Sequence, residues 1–305
     1  MARIDFVPRI DDVRYGVAEQ VSPLIRRVIA ENPSKYTYRG TGTYIIGHGK
    51  VAVIDPGPIL DSHRDAIQRA LVGEQVQAIL VTHCHSDHSP LARWLHDHTG
   101  AATFAIGPHS DNTVDKSDDG GEEAIDRDFA PTHAVNDGDV IVETDEYSLT
   151  AVSTPGHTSN HMCVALAQER ALFSGDHVMG WSTTVVSPPD GDMRDYIESL
   201  RKLQRRKDEV LWPTHGGPIP NPKEFLSQYL MHRLDREAQI LQCLTDRVKT
   251  VSEIVTILYA DVQIELHKAA GRSVLSHLIK LIGDGRVEVV DETAPTVTSV
   301  FALSK

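Results

Sequence analysis

The segment THCHSDH, residues 82–88, holds the side chains in this sequence that are best suited to chemistry. His83, His85, Asp87 and His88 bring four metal-binding side chains within six residues. Zinc binds histidine nitrogen and carboxylate oxygen at about 2.0–2.2 Å. The segment follows the apolar run VQAILV and precedes a helix-like run, so a strand that turns into a helix would point these neighbours at one spot. The spacing therefore predicts a metal site.

Three further ligand-type residues stand later in the chain, in the contexts STPGHTSNH, LFSGDHVMG and LWPTHGGP. His157, Asp176 and His215 each follow an apolar run and adjoin a glycine, which permits close approach of the backbone. Sixteen histidines are present, so a chance grouping is the alternative. The repeated position at predicted strand ends argues against that alternative.

Short β-branched runs ending in Gly, Pro or Asp would position these side chains, since such runs predict strands. They are TGTYIIG, KVAVIDPG, VQAILVTH, AATFAIG, YSLTAVSTPGH, MCVALA and ALFSGD. Between them, residues 61–71 and 89–98 have apolar residues at helical spacing, with Asp61 as the predicted N-cap of the first helix. Strands with interposed helices predict an α/β sandwich.

The pattern changes after Gly216. Residues 223–247 show helical spacing only, and a capping box of Thr250 and Glu253 opens a second helical run. A third helical run around SVLSHLIKLIGDG precedes two strand-like runs, RVEVV and SVFALS. This order is typical of a winged helix, and it divides the chain into residues 1–221 and 222–305.

The motifs HxHxDH, PGHT, FSGD and THG occur here in the order shown by the metallo-β-lactamase superfamily, which the chain resembles over about Pro23 to Pro220. The resemblance implies an αββα sandwich, followed here by the winged-helix region. It also implies two Zn²⁺ ions per chain, although other divalent metals could serve. The implied ligands are His83, His85 and His157 for one ion, Asp87, His88 and His215 for the other, and Asp176 as the bridge. Such a dinuclear site leaves positions open for water.

Within the superfamily, ENPSKYTYRGTGTYIIG, PGHTSNHM and the C-terminal tail resemble the beta-lactamase-like endoribonuclease subgroup, which also contains bacterial hydrolases and thioesterases. Asp55, in VAVIDPG, matches the superfamily motif in which a carboxylate orients a metal-bound histidine. Asp87 is also a candidate for positioning the nucleophile or accepting its proton. His161 is a candidate proton donor or substrate contact, with a packed or exposed histidine as the alternative. His177, beside Asp176, would point the other way if the strand continues, so it is not counted as a ligand. The remaining histidines considered have no ligand-like context: His109, His133, His232, His267 and His277.

Several functions are compatible with this site. Cleavage of single-stranded RNA is implied by the subgroup, and the basic run Arg201, Lys202, Arg205, Arg206, Lys207 could follow a phosphate backbone. The net charge of −13 opposes polyanion binding, and an ester, thioester or lactone substrate needs no basic patch. A single-iron dioxygenase could carry a similar motif. A DNA-binding regulator with a metal-binding sensor domain would need a recognition helix more basic than this one.

Composition predicts a cytoplasmic protein. No apolar run reaches the roughly 18 residues of a membrane span, and the first residues lack the apolar core of a secretory signal. Three widely spaced cysteines suit a reducing compartment. The acidic stretch from His109 to Asp128 predicts a solvated loop. The sequence predicts neither the oligomeric state nor the exact substrate.

Overall fold

Two β-sheets lie face to face between outer helices in the computed structural model, which describes residues 4–7, 10, 12–109, 124–290 and 294–304. The first sheet has seven strands in chain order: β1 (Ala18–Gln20), β2 (Ile25–Ile29), β3 (Gly42–Ile46), β4 (Lys50–Ile54), β5 (Gln75–Leu80), β6 (Ala102–Ala105) and β7 (His133–Ala134). Strands β1 to β4 pair antiparallel, whereas β4 to β7 pair parallel. Helices α1 (Asp61–Ala70) and α2 (Leu91–Thr99) make the first two parallel crossovers.

The second sheet has six strands in the order β13-β12-β11-β10-β9-β8. They are β8 (Val140–Glu143), β9 (Ser148–Ser153), β10 (Met162–Leu166), β11 (Ala171–Gly175), β12 (Val210–Pro213) and β13 (Ile219–Pro220). Helix α3 (Met193–Gln204) joins the parallel strands β11 and β12. The pairing of β11 with β12 shifts register between Phe173 and Gly175, just before Asp176.

Three apolar clusters hold this sandwich together, as the αββα prediction requires. Tyr44, Leu80 and Phe173 belong to the cluster between the two sheets. A second cluster packs the outer face of the first sheet against α1 and α2, and a third packs the outer face of the second sheet against α3 and the following helix. Every residue of β3, β10 and β11 is buried, since these strands are covered on both faces.

The C-terminal region begins with the long helix α4 (Pro222–Cys243). It continues through β14 (Lys249–Thr250), α5 (Val251–Leu258), a 3₁₀ turn (Ile264–Leu266), α6 (His267–Gly283), β15 (Val287–Val289) and β16 (Val300–Leu303). The three strands form a small sheet in the order β14-β16-β15 over their own apolar core. This is the winged-helix arrangement, and the division at residue 221 stays a prediction.

Local details test the predicted helix signals. The capping box is confirmed, because the Thr250 side chain accepts from the Glu253 backbone and the Glu253 side chain accepts from the Thr250 backbone. Asp61 as an N-cap is wrong: α1 begins at Asp61, and Leu60 precedes it without a side-chain cap. Residues 110–123 of the predicted acidic loop lie outside the described residues. No helix in the described part of the chain is long and apolar enough to cross a membrane.

Candidate metal centre

The predicted ligands meet at one end of the sandwich, where four strands finish. Residues 82–88 follow β5, His157 follows β9, Asp176 follows β11, and His215 follows β12. Their potential ligand atoms form three overlapping groups in which all atoms lie within 4.8 Å of one another: His83 with His85 and His157, His83 with His88 and Asp176, and Asp87 with His88 and His215. All seven predicted ligands therefore belong to one connected cluster.

Asp55 lies beneath this cluster and accepts hydrogen bonds from three directions. Its Oδ1 accepts from the Thr82 amide, and its Oδ2 accepts from the Thr82 hydroxyl at 2.8 Å and from Thr214 at 3.2 Å. His88 Nδ1 lies 2.9 Å from the same Oδ2, so this nitrogen carries the hydrogen. Because the Thr82 hydroxyl donates its hydrogen bond to Asp55, it accepts a hydrogen bond from His83 Nδ1 at 3.0 Å. Asp55 thus sets the tautomer of two predicted ligands.

Asp55 holds this position in a rare backbone conformation, with a φ of 48°. A residue other than glycine costs about 1–3 kcal/mol in the left-handed region, so the surrounding contacts must enforce it. Its amide donates to the Leu80 carbonyl at 2.9 Å, which ties the turn after β4 to the end of β5. The strained turn therefore brings the carboxylate under residues 82–88.

The first half of the cluster consists of three imidazoles. His157 Nδ1 lies 2.7 Å from the Val185 carbonyl, which can only accept, so its hydrogen is on Nδ1 and its Nε2 is bare. The bare Nε2 atoms of His83 and His157 lie 2.9 Å and 3.3 Å from His85 Nδ1. Burial lowers the pKa of His83 well below its usual value and that of His85 to about 3. His83 and His85 are therefore neutral, and ring nitrogens of all three histidines face a common point.

The second half pairs two imidazoles with two carboxylates. His215 Nδ1 lies 3.2 Å from the Gly40 carbonyl, which can only accept. His215 Nε2 then faces the Oδ2 atoms of Asp87 and Asp176 at 3.2 and 3.3 Å. His88 Nε2 faces the same two oxygens at 3.4 and 3.6 Å. Two nitrogens and two carboxylates thus converge from opposite sides.

The electrostatics of this half are those of buried ion pairs. Burial opposes protonation of His215, but Asp176 and Asp87 raise its pKa to about 10. The pKa of His88 also lies well above its usual value, since the same carboxylates and Asp55 outweigh burial. Burial opposes ionisation of Asp87, yet His88 and His215 lower its pKa to about 2. Both carboxylates are ionised and attract cations.

Sequence reasoning did not find Thr41, which donates to Asp87 Oδ2 at 2.8 Å. Asn32 Nδ2 donates to the Thr41 hydroxyl at 3.0 Å, so the Thr41 hydrogen is committed to the carboxylate. Thr41 lies in TGTYIIG, which marks the start of β3 but gives no signal for a contact 46 residues away.

The structure places the other candidate histidines apart from the converging atoms. His161 is completely buried behind His83, with ring centroids 5.2 Å apart, and its Nδ1 lies 2.9 Å from the Thr154 hydroxyl. A Cβ added at Gly175 would lie 2.6 Å from its Nε2. This position agrees with the packed alternative for His161. His177 lies in the same buried region as His161, and its ring centroid is 4.5 Å from that of Tyr196. This position agrees with the prediction that His177 lies outside the site.

The described end of the acidic stretch borders the cluster of predicted ligands. Ile125 forms a β-bridge with His85, and the Ser86 amide donates to the Ala124 carbonyl at 2.7 Å. The Asp126 amide donates to the Cys84 carbonyl at 2.8 Å. Residues 124–126 therefore fix the backbone of the HxHxDH segment from outside the sandwich.

A face-to-face sandwich with imidazoles and carboxylates gathered at its strand ends defines a metal-dependent hydrolase. The match to a family model for the metallo-beta-lactamase superfamily spans residues 38–215, and a model for the beta-lactamase associated winged helix domain matches residues 250–294. The chain belongs to the metallo-beta-lactamase superfamily and ends in its associated winged helix domain.

Relatives cover nearly the whole chain. A beta-lactamase-like protein 2 homolog of Caenorhabditis elegans is 31% identical over 279 residues, which are 88% of each chain. An atrochrysone carboxyl ACP thioesterase of Passalora fulva is 30% identical over 298 residues, covering 92% of this chain and 80% of its own. The crystal structure of a beta-lactamase domain protein from Burkholderia ambifaria superposes with a TM-score of 0.79 at 21% identity, covering 96% of both chains, which shows the shared fold.

Proposed function

We propose that the chain is a dinuclear zinc hydrolase whose substrates are acyl thioesters. In this proposal one ion is held by His83, His85 and His157, the other by Asp87, His88 and His215, with Asp176 between them. The observation that carries it is the convergence of imidazole nitrogens and two carboxylates in three overlapping groups of ligand atoms. In the metal-free protein the two carboxylates keep His88 and His215 protonated, and a metal ion would take the place of those protons.

Unpartnered atoms support a metal at this place. His88 Nε2 and Asp176 Oδ1 are buried and have no hydrogen-bond partner among the described residues. Buried polar atoms without a partner are rare and need an explanation. Imidazole and carboxylate together suit zinc, which is why we place this metal first.

When bound, the two ions would supply water activation at neutral pH and polarisation of the substrate carbonyl oxygen. In thioester hydrolysis, water adds to the carbonyl carbon and the C–S bond breaks. One proton of the water goes to the leaving sulfur, and the products are a thiol, a carboxylate and one proton released to solvent. No protein nucleophile is needed, and burial raises the pKa of the Cys84 thiol to about 12, which keeps it protonated.

Asp87 and His161, the two predicted catalytic residues, receive different roles. The pKa of Asp87, about 2, makes this carboxylate a poor proton acceptor, so it would serve as a stable negative group at the site. We therefore assign Asp87 to positioning. His161 has no exposed surface, so we assign it to support of His83 and the end of β11.

The thioester preference rests on the relatives and on surface charge. A relative that is 30% identical over 92% of this chain is named an atrochrysone carboxyl ACP thioesterase. The net charge of −13 places no penalty on an uncharged acyl group.

RNA cleavage, the preference implied by the subgroup, has weaker support. The basic run lies at the end of α3 and in the residues that follow, and three of its five cations are paired with nearby carboxylates. Arg201 pairs with Glu198 at 2.6 Å, Lys202 with Asp137 at 2.5 Å, and Arg206 with Asp208 at 2.7 Å. Cations already paired with carboxylates contribute little to phosphate binding.

A DNA-binding regulator is also poorly supported. Helix α6, the predicted recognition helix, buries eight of its residues between Ala270 and Leu281, and Lys280 is paired with Glu237 and Asp284. A recognition helix must instead present side chains to a groove. We retain a cytoplasmic location within the proposal, because all three cysteines are free thiols.

A hydrolysis screen of the zinc-loaded, full-length protein tests the proposal. Acyl thioesters, lactones, bis-p-nitrophenyl phosphate and single-stranded RNA are compared by kcat/KM, with chelator-treated protein as the control. We expect the thioesters to exceed the phosphodiesters by at least about tenfold, the ratio that 1.4 kcal/mol of differential transition-state binding gives. A higher kcat/KM for RNA would overturn the substrate assignment, and a reproducible single iron per chain would overturn the dinuclear zinc site.

A further inference from the structure

The dipeptide Thr184-Val185 holds two of the proposed metal ligands at once. The Thr184 hydroxyl donates to the Asp176 carbonyl at 2.7 Å, and the side chain is buried. The Val185 carbonyl accepts from His157 Nδ1 at 2.7 Å. Asp176 follows β11 and His157 follows β9, so this dipeptide connects the ends of two strands. Its position therefore influences the orientation of both proposed ligands.

A single side chain from α4 fixes this dipeptide. Arg233 is only 4% exposed, and its Nη2 donates to the Thr184 carbonyl at 2.5 Å. Its guanidinium carbon lies 4.9 Å from the centroid of the Tyr196 ring, which stabilises the cation from one face. One turn earlier on α4, the Tyr229 hydroxyl lies within hydrogen-bond distance of the carbonyls of Met179 and Ser182. Helix α4 therefore holds the segment after β11 at two points.

The environment of Arg233 argues for a role beyond packing. Within the described part of the chain, no salt bridge joins this guanidinium to a carboxylate, and its Nε has no hydrogen-bond partner. Burying a cation without a counter-charge is expensive. A charge-assisted hydrogen bond to a carbonyl is about twice as strong as a neutral one, so it holds Thr184 firmly.

We propose that Arg233 is a positioning residue of the metal centre, which acts through Thr184-Val185 on Asp176 and His157. The inference rests on the proposed metal site. It gives the C-terminal region a task, because its first helix supplies a group that shapes the site at the far side of α3.

Arg236 provides a matched control on the same helix. It is also buried, at 6% exposure, its Nη1 donates to the Leu258 carbonyl at 3.3 Å, and its guanidinium carbon lies 4.1 Å from the centroid of the Tyr259 ring. The two arginines thus share burial, a carbonyl acceptor and an aromatic face. Only Arg233 contacts the segment that carries metal ligands.

The test compares Arg233→Met with Arg236→Met in the full-length protein. Zinc affinity is measured by chelator competition, the site is observed through the visible spectrum of the Co²⁺-loaded protein, and Tm reports stability. We expect both variants to lower Tm, but only Arg233→Met to weaken binding of one ion by about 10–100-fold and to change the Co²⁺ spectrum. Arg233→Lys keeps a donor for the Thr184 carbonyl and should recover part of the affinity.

An unchanged affinity and spectrum in a folded Arg233→Met protein would overturn the inference. If that variant does not fold, Thr184→Val decides: it removes the hydroxyl that binds the Asp176 carbonyl and leaves the Arg233 contact in place. Normal zinc affinity in Thr184→Val would then overturn it. A wild-type protein that binds no metal would instead refute the proposed function, so the two failures are distinguishable.

Discussion

His88 and His277 are both completely buried, one in the metal centre and one in α6 of the C-terminal region, yet their surroundings differ in kind. His88 has Asp55 on one ring nitrogen and faces Asp87 and Asp176 with the other. His277 has no hydrogen-bond partner on either nitrogen among the described residues. Burial lowers its pKa well below the usual value, and Arg233 adds to that effect.

If the proposed site is correct, burial alone does not distinguish a ligand histidine from a core histidine. A site needs an acceptor that fixes one nitrogen and a set of donor atoms that meets the other. His83, His157 and His215 share both properties with His88. His277 has neither and serves as a neutral core residue.

Among the changes at the proposed metal site, replacing Asp176 should have the largest effect on metal content and turnover. Asp176→Asn keeps the shape but removes the charge between two cation positions, so the ions would repel with less compensation. We expect loss of one metal ion per chain and a fall in kcat by orders of magnitude at neutral pH. Elemental analysis and thioester kinetics measure both quantities.

The neighbour His177 supplies the control. His177→Ala should retain both ions and most of the activity, although the cavity will lower Tm. Two tightly held ions and near-normal turnover in Asp176→Asn would contradict the bridging role.

Removing Asp55 should weaken the site without removing any ligand. Asp55→Ala frees the tautomers of His83 and His88, so we expect zinc affinity to fall by about 10–100-fold. Because buried donors lose their acceptor, unfolding free energy should also fall by about 1–3 kcal/mol for each unsatisfied group. Chelator competition and urea unfolding measure the two effects.

Thr214→Val removes a single 3.2 Å contact to Asp55 and is the matched control. We expect it to change zinc affinity less than Asp55→Ala does. Equal affinities for wild type and Asp55→Ala would remove Asp55 from the site.

Metal binding should release protons from His88 and His215, the two imidazoles that face carboxylates. In the metal-free protein at pH 7.5, His215 is protonated because its pKa is about 10, and His88 is protonated because its pKa lies well above the usual value. A metal requires neutral imidazole, so binding should release about two protons and weaken as the pH falls. Calorimetry in buffers of different ionisation enthalpy counts the protons. A binding heat that does not depend on the buffer would refute these ion pairs.

The smallest effect is expected at the other histidine. His277→Leu removes two unpartnered nitrogens from a core, so stability at pH 7.5 should stay the same or rise. In the wild type, the unfolded state takes up a proton below pH 6.5 while folded His277 stays neutral, so unfolding free energy falls as the pH falls. Between pH 6.5 and 5.5 the unfolding free energy of the Leu variant should fall by about 1 kcal/mol less than that of the wild type, measured by urea unfolding. A strongly destabilised His277→Leu variant with altered zinc content would contradict the assignment of His277 as a core residue outside the metal site.

The sequence predicted what short segments encode. Strand and helix patterns, the capping box at Thr250 and the ordered metal motifs depend on neighbouring residues, and the fold and superfamily are confirmed. Contacts across the chain gave no such signal. Thr41 reaches Asp87 over 46 residues, and Arg233 reaches Thr184 over 49.

Local spacing left the role of His161 open between a proton donor or substrate contact and a packed histidine. Its burial just before β10 favours the packed alternative, and its role stays a prediction. The strand β14 was not predicted, because two residues are too few for a periodic pattern. The N-cap at Asp61 was wrong because the carboxylate stands inside the first turn, where it favours the helix through the dipole instead.

Helix α4 also determines how the molecule should unfold. Its first turns place Phe225, Leu226 and Tyr229 in the apolar cluster under the second sheet, and its later turns place Ile240 in the core of the winged helix. One continuous helix that serves two cores transmits the loss of either to the other, so melting should be a single cooperative transition. A chain cut at residue 221 would expose the outer face of α3 and would be expected to aggregate rather than behave as an independent domain.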